Sequence, residues 1–199
     1  LFLIKNKSFK DNRGYFKELI RENKINKKFP FLVMSFSKKN VIRGLHIQTN
    51  NSQGKLVSVL KGKIFDVAID LRKNSKSFGK VYKCVISEKN KKSIFIPPGF
   101  AHGFQTLSDN CELIYLHTEF YNPKNEGSIN VLDPKINIRW PIEITGISTK
   151  DKNQPGRHIS PAGGIARLLR NVTAAGTEQR RAGWLVCSWR QCAKRQCTV

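Results

Sequence analysis

Cysteine is scarce and unpatterned in this 199-residue chain. Its five cysteines, Cys84, Cys111, Cys187, Cys192 and Cys197, form an odd set with no C-x-x-C pair. That argues against a secreted disulfide framework and for a reducing cytosol. No apolar run approaches the ~20 residues of a membrane span, which excludes a transmembrane helix, and no secretory leader is visible. The chain opens on Leu1 rather than Met, so a trimmed start is expected. Acidic residues are also few: 14 Asp and Glu stand against 36 Lys and Arg, a net charge of +22. Such an excess raises nucleic acid or an anionic membrane as partners. Its distribution weakens that reading. Residues 1–155 carry 23 Lys and 5 Arg, scattered singly or in pairs, with no stripe of arginine interleaved with aromatics. A lysine-biased solvated surface is the simpler account, phosphate-bearing small molecules come next, and nucleic acid comes last.

Composition breaks near residue 155. Before it the chain is rich in Lys, Asn, Ile and Phe; after it Lys194 is the one lysine, while arginine, alanine and glycine rise. The three late cysteines recur every five residues, which matches no zinc spacing. Residues 1–155 are therefore expected to form one domain. Residues 156–199 read as an irregular basic tail, non-native or disordered, of the kind left by a read-through, frameshift or fusion. A genuine nucleic-acid-binding tail is the alternative.

Long amphipathic helices are missing too; residues 17–28 offer a short one. What is present is β pattern. Residues 55–72 alternate around a Lys61-Gly62 turn, with Phe65, Val67, Ile69 and Leu71 on one face and Ile64, Asp66, Ala68 and Asp70 on the other. Residues 81–86 and 94–96 continue the pattern. In 113–120, Leu113, Tyr115, His117 and Glu119 oppose Ile114, Leu116, Thr118 and Phe120. Turn signals at Asn12-Arg13-Gly14, Asn74-Ser75, Pro97-Pro98-Gly99, Asn122-Pro123 and Asp133-Pro134 punctuate these runs. Short strands with frequent turns predict a sandwich or barrel. The uniformly apolar face is expected to be core. The mixed face, bearing Asp66, Tyr115 and His117, fits either a water-exposed surface or the lining of a polar cavity.

Two segments carry candidate chemistry. Val41–Gln48 places Arg43, His46 and Gln48 close together in strand-like sequence. On a regular strand Arg43 and His46 point to opposite faces, and Gly44 would permit a bulge that re-aims them. Ile96–Phe104 sets His102 among small residues after a rigid turn. A metal is not expected: the H-x-H pair of metal-binding cupins is broken by Gln48, and His46 with His102 leaves a three- or four-ligand cage short.

Taken together, RGLHIQ (43–48), QGKLVSVLKGKIFDVAIDLR (53–72), FGK (78–80), IPPGFAHGF (96–104), NPKNEGSI (122–129), WP (140–141), FKDNRGYFKE (9–18) and STKD (148–151) resemble the dTDP-4-dehydrorhamnose 3,5-epimerase family. The resemblance spans about residues 1–155. It implies an all-β fold, a cupin-type jelly roll (double-stranded β-helix) with short peripheral helices. It also implies a cytoplasmic homodimer that needs no cofactor or metal and epimerises C3 and C5 of a dTDP-linked 4-keto-6-deoxy sugar, as in dTDP-L-rhamnose-type and lipopolysaccharide biosynthesis. The ketone acidifies both neighbouring carbons, so such an enzyme needs a base, a group to hold the enolate oxygen, and an acid on the opposite face. The resemblance assigns these as His46 paired with Asp151, Lys55, and Tyr115. It places Arg13, Glu18, Arg43, His102, Tyr121 and Glu126 around nucleotide and sugar; the arginines suit a diphosphate.

Departures from the family pattern fall at Phe31 and Val33, where a Gln-x-Asn pair is usual, and at Val131-Leu132, which replaces Trp-Asn. They leave open a C3-only or different-sugar-nucleotide epimerase, or a non-catalytic binding member. The N-terminal segment, which helps form the family's dimer, looks several residues short.

Overall fold

The computed structural model describes residues 1–152, so the expected boundary at 155 and the tail 156–199 lie outside the described residues. The chain opens with β1 (Phe2–Lys5) and a hairpin of β2 (Ser8–Asp11) and β3 (Gly14–Lys17). The helix anticipated in 17–28 is a single turn, α1 (Glu22–Ile25), ended by Asn26 in the left-handed region at φ 52°. Eight longer strands follow: β4 (Phe31–Ser37), β5 (Val41–Gln48), β6 (Lys55–Lys61), β7 (Lys63–Asp70), β8 (Val81–Ser87), β9 (Lys92–Ile96), β10 (Phe100–Thr106) and β11 (Cys111–His117). Short elements close the series: β12 (Glu126–Ser128), β13 (Gly146–Ile147) and α2 (Thr149–Lys152).

One sheet runs β1-β9-β6-β11-β4 and the other β12-β5-β10-β7-β8, all antiparallel, with β13 added in parallel to β5. The chain passes between sheets at Gly62, whose φ of +87° suits the tight connection from β6 to β7. Two antiparallel sheets facing across one core make the cupin-type jelly roll.

There are two cores. Between the sheets, Val57, Val59, Ile94, Ile96 and Leu113 of the first meet Ile64, Ala68, Ile86, Phe100 and Phe104 of the second. On the outer side of the second sheet, Ile42, Leu45, Ile47, Val67, Ile69 and Leu71 pack against Ile129 and Val131, with Ile136, Ile138, Trp140 and Ile144 beside them. Full burial of each such aliphatic side chain stabilises by roughly 1.5–3 kcal/mol. The uniformly apolar face of β7 is thus core, but it is covered by the strap 129–147 and not by the opposite sheet. The mixed face of β7 and β11 turns inward, which settles it as barrel lining.

Polar bonds fasten the strap. Fully buried Gln105 donates from Nε2 to the Ile142 carbonyl at 2.8 Å, and Trp140 Nε1 donates to the Val131 carbonyl at 3.0 Å. Phe65 meets Trp140 edge-on, 6.0 Å between ring centres. The strap then delivers the chain to β13 and α2, beside β5.

Candidate active site

β5 is irregular where it matters. His46 pairs with His102 and Arg43 with Phe104, so a three-residue step on β5 faces a two-residue step on β10. The extra residue reverses the side-chain alternation, and Arg43 and His46 line the same cavity. Gly44 makes this possible. Its φ is +110°, and a Cβ there would sit 2.6 Å from the His102 carbonyl oxygen and 2.7 Å from Gly103 Cα. The bulge anticipated at Gly44 is therefore present.

The cavity holds about 580 Å³ between the sheets. Arg43, His46 and His102 project from the second sheet; Lys55, Tyr115 and His117 project from the first; Ser148, Lys150 and Asp151 close one side. His46 Nε2 lies 2.7 Å from Asp151 Oδ1. Asp151 is 3% exposed, not the surface acid that the composition of its lysine-rich loop suggests. Burial pushes its carboxyl pKa up, but hydrogen bonds from His46 and Ser148 outweigh that and hold it below 3.8. Local sequence seats it: in Ser148-Thr149-Lys150-Asp151 the Ser148 hydroxyl oxygen accepts the Asp151 N–H at 3.1 Å, closing the single turn of α2. With Nε2–H donated to the carboxylate, Nδ1 is the nitrogen left to take a proton.

Lys55 is half-buried, and desolvation lowers its pKa to about 8, partly opposed by Glu126 and Asp66. It remains a cation at neutral pH. Tyr115 Oη shares a 2.9 Å hydrogen bond with Ser35 Oγ, and burial raises its pKa well beyond the ordinary phenol value. It therefore stays protonated, as a proton donor must. His102 and Asp66 form a second, fully buried pair, Nε2 to Oδ2 at 2.8 Å. Arg43 donates from Nε to Ser37 Oγ at 2.8 Å and from Nη2 to the Phe36 carbonyl at 3.0 Å, which fixes its direction.

Of the remaining expected residues, Tyr121 and Glu126 stand beside the cavity. Tyr121 Oη donates to Glu126 Oε2 at 2.7 Å, and cavity-lining Lys150 donates to the same oxygen at 2.6 Å. Arg13 and Glu18 do not line it. Arg13 is spread over solvent with Asp11, and Glu18 is held by Arg21 at 2.8 Å. Val33 forms part of the cavity wall, Phe31 lies against His117, and Leu132 is exposed. Sequence reasoning assigned no role to Asp66, Ser35, Lys150 or His117. Asp66 and His117 carried a signal, since both interrupt the apolar alternation on faces that turn inward. His46 and His102 each face a carboxylate, and no group of three or more His, Cys, Asp or Glu converges among the described residues.

Residues 1–157 match the family model described as dTDP-4-dehydrorhamnose 3,5-epimerase. The enzyme of that name from Methanothermobacter thermautotrophicus is 44% identical over 159 residues, covering 76% of this chain and 86% of its own. That of Salmonella typhimurium is 44% identical over 163 residues, covering 78% and 89%. The crystal structure of the Legionella pneumophila dTDP-6-deoxy-D-glucose-3,5-epimerase, in complex with dTDP-4-keto-L-rhamnose, superimposes with a TM-score of 0.71 at 41% identity, covering 75% of this chain and 83% of that one.

Proposed function

This chain belongs to the dTDP-4-dehydrorhamnose 3,5-epimerase family, and from that premise we propose how its own residues perform the epimerisation of a dTDP-4-keto-6-deoxyhexose at C3 and C5. The observation that carries the reading is an opposition: His46 enters the cavity from one sheet, while Tyr115 and Lys55 enter from the other. A sugar ring held between the sheets presents one face to the base and the other to the acid. His46 Nδ1 takes the proton from the carbon beside the C4 ketone, and Asp151 stabilises the imidazolium that forms. The electron pair moves onto the C4 oxygen, where the Lys55 ammonium holds the enolate. Tyr115 then delivers its proton to the opposite face and the centre inverts. Solvent returns a proton to Tyr115 and removes one from His46.

Arg43 and the neighbouring lysines supply positive charge for the diphosphate, and Tyr121 offers an aromatic face to the base. His102, fixed by Asp66, and Glu126, fixed by Tyr121 and Lys150, suit the sugar and nucleotide hydroxyls. No cofactor or metal enters this scheme.

We further infer a homodimer. β4 is an edge strand whose outer face exposes Leu32, Met34 and Phe36, and the β2–β3 hairpin exposes Phe9, Tyr15 and Phe16. Exposed apolar groups in such numbers support burial against a second copy. Arg13 and Glu18 stand outside the cavity of their own chain, and a partner's cavity is the place where they would reach ligand. The catalytic domain is placed at residues 1–155, supported by the match over 1–157. A cytoplasmic location agrees with the free thiols of Cys84 and Cys111 and with the absence, among the described residues, of a helix long and apolar enough to cross a membrane.

Incubation with dTDP-4-keto-6-deoxyglucose in deuterated water tests the proposal. Deuterium at both C3 and C5 is expected, and His46→Ala should abolish it. Incorporation at C3 alone would make the enzyme a monoepimerase; none at all, with His46→Ala equally inert, would remove the catalytic reading.

A further inference from the structure

His117 is buried to 8% exposure, yet its Nδ1 has no hydrogen-bond partner among the described residues. Leaving a buried polar group unpaired is costly, so the orphaned nitrogen takes the protonation state that costs least. The ring is held in place by its neighbours. Phe31 lies on one side at 5.3 Å and Tyr115 on another at 6.2 Å between ring centres. Register sets its company: His117 is directly opposite Lys55 across the β11–β6 ladder and two residues along the same inward face from Tyr115. β4 presents Phe31 opposite His117 and Val33 opposite Tyr115, so at these two positions it brings no hydrogen-bonding side chain to this wall.

The ring is a donor and not a cation. Burial first, then electrostatic interaction with Lys55 and with His102, lowers its pKa to about 3. An N–H at the enclosed Nδ1 would have nothing to donate to, whereas an unprotonated Nδ1 forfeits only an acceptor. The Nε2–H tautomer is therefore favoured, and Nε2–H is the group this imidazole can offer a ligand.

We propose that His117 is a further catalytic residue, a neutral imidazole that donates a hydrogen bond to the C4 oxygen of the sugar together with Lys55. The inference rests on the epimerase reading above and adds a second donor to the enolate site. Lys55 supplies charge; His117 supplies a directed donor that does not titrate near neutral pH. Such a contact strengthens as the oxygen gains charge, so its loss falls on kcat more than on KM.

The test is steady-state epimerisation and deuterium wash-in for the wild type, His117→Phe and His117→Asn, with thermal melts. His117→Phe keeps an aromatic ring against Phe31 but removes the donor; kcat should fall by about tenfold to a hundredfold with KM within about threefold. His117→Asn restores a neutral donor and should recover part of that loss. Should either variant fail to fold, ¹⁵N spectra of the wild-type imidazole decide: saturating dTDP-4-keto-6-deoxyglucose should shift the Nε2 resonance, with the neutral tautomer kept from pH 5 to 8. If folded His117→Phe matches the wild type in kcat, or the ¹⁵N signal does not respond to the sugar nucleotide, the role of His117 is overturned while the epimerase reading stands. If the wild type shows no wash-in, both are overturned.

Discussion

Replacing Asp151 by Asn isolates the most consequential contact in the cavity. The substitution is nearly isosteric and keeps an oxygen that can accept from His46, so the 2.7 Å geometry and the fold should survive. What disappears is the negative charge facing the imidazolium. For unit charges about 4 Å apart at an effective dielectric constant of ~20, the interaction is about 4 kcal/mol. At 1.36 kcal/mol per decade this corresponds to roughly a thousandfold in rate. The His46 side chain is 34% exposed and Asp151 only 4%, so solvent screening reduces the figure to about a hundredfold. Deuterium wash-in at C3, followed by proton NMR, reads proton removal together with the return of a solvent deuteron to carbon. A loss of that size in kcat, with the melting temperature within a few degrees of wild type, is expected. An Asp151→Asn enzyme that exchanges at the wild-type rate would refute the argument that this carboxylate supports the base.

Further outcomes follow from the structure. Gly44→Ala must force φ +110° on a residue with a Cβ and push that Cβ into the His102 carbonyl; a loss of roughly 3 kcal/mol, or about 6–12 °C in Tm, is expected by calorimetry. In the proposed mechanism Lys55 holds the enolate only as a cation, so kcat/KM should decline above pH about 8, and Lys55→Met should remove that alkaline limb together with about a hundredfold of activity. The same lowered pKa makes charged Lys55 a cost to the fold, recovered as pH rises from about 8 toward the unfolded value of 10.5. Met34→Glu, on the exposed outer face of β4, should convert the proposed dimer to monomer in analytical ultracentrifugation; an unchanged sedimentation coefficient would place the interface elsewhere.

Legibility in the sequence followed the range of the interaction. Alternation in 55–72 and 113–120 is a local signal; it placed β6, β7 and β11 and separated the two faces of β7 and of β11. It did not say what covers each face. Phe65, Val67, Ile69 and Leu71 pack under a strap contributed by residues 129–147, which shows no strong period of its own and is held by side-chain-to-backbone bonds from Gln105 and Trp140. β4 went unread as a strand for a related reason. Leu32, Met34 and Phe36 face outward while Phe31 and Val33 face inward, so no polar residue marks either side of most of the strand. The site divides the same way. The bulge at Gly44 was visible because its cause is one glycine between two polar residues. Asp151 was visible only through family resemblance, because its partner His46 lies 105 residues away.

That distance has a structural reading. The strap that completes the second core is the segment that carries α2 to β5, through β13 in parallel register with Val41 and Ile42. Burial of Ile129, Val131 and Trp140 on the outer side of the sheet therefore fixes where Asp151 enters on the inner side. Packing on one face of β5 and the His46–Asp151 pair on the other are thus mechanically linked through one continuous run of chain. Substitutions that loosen the strap should lower activity by freeing Asp151 before they unfold the barrel, whose inter-sheet core shares none of those residues.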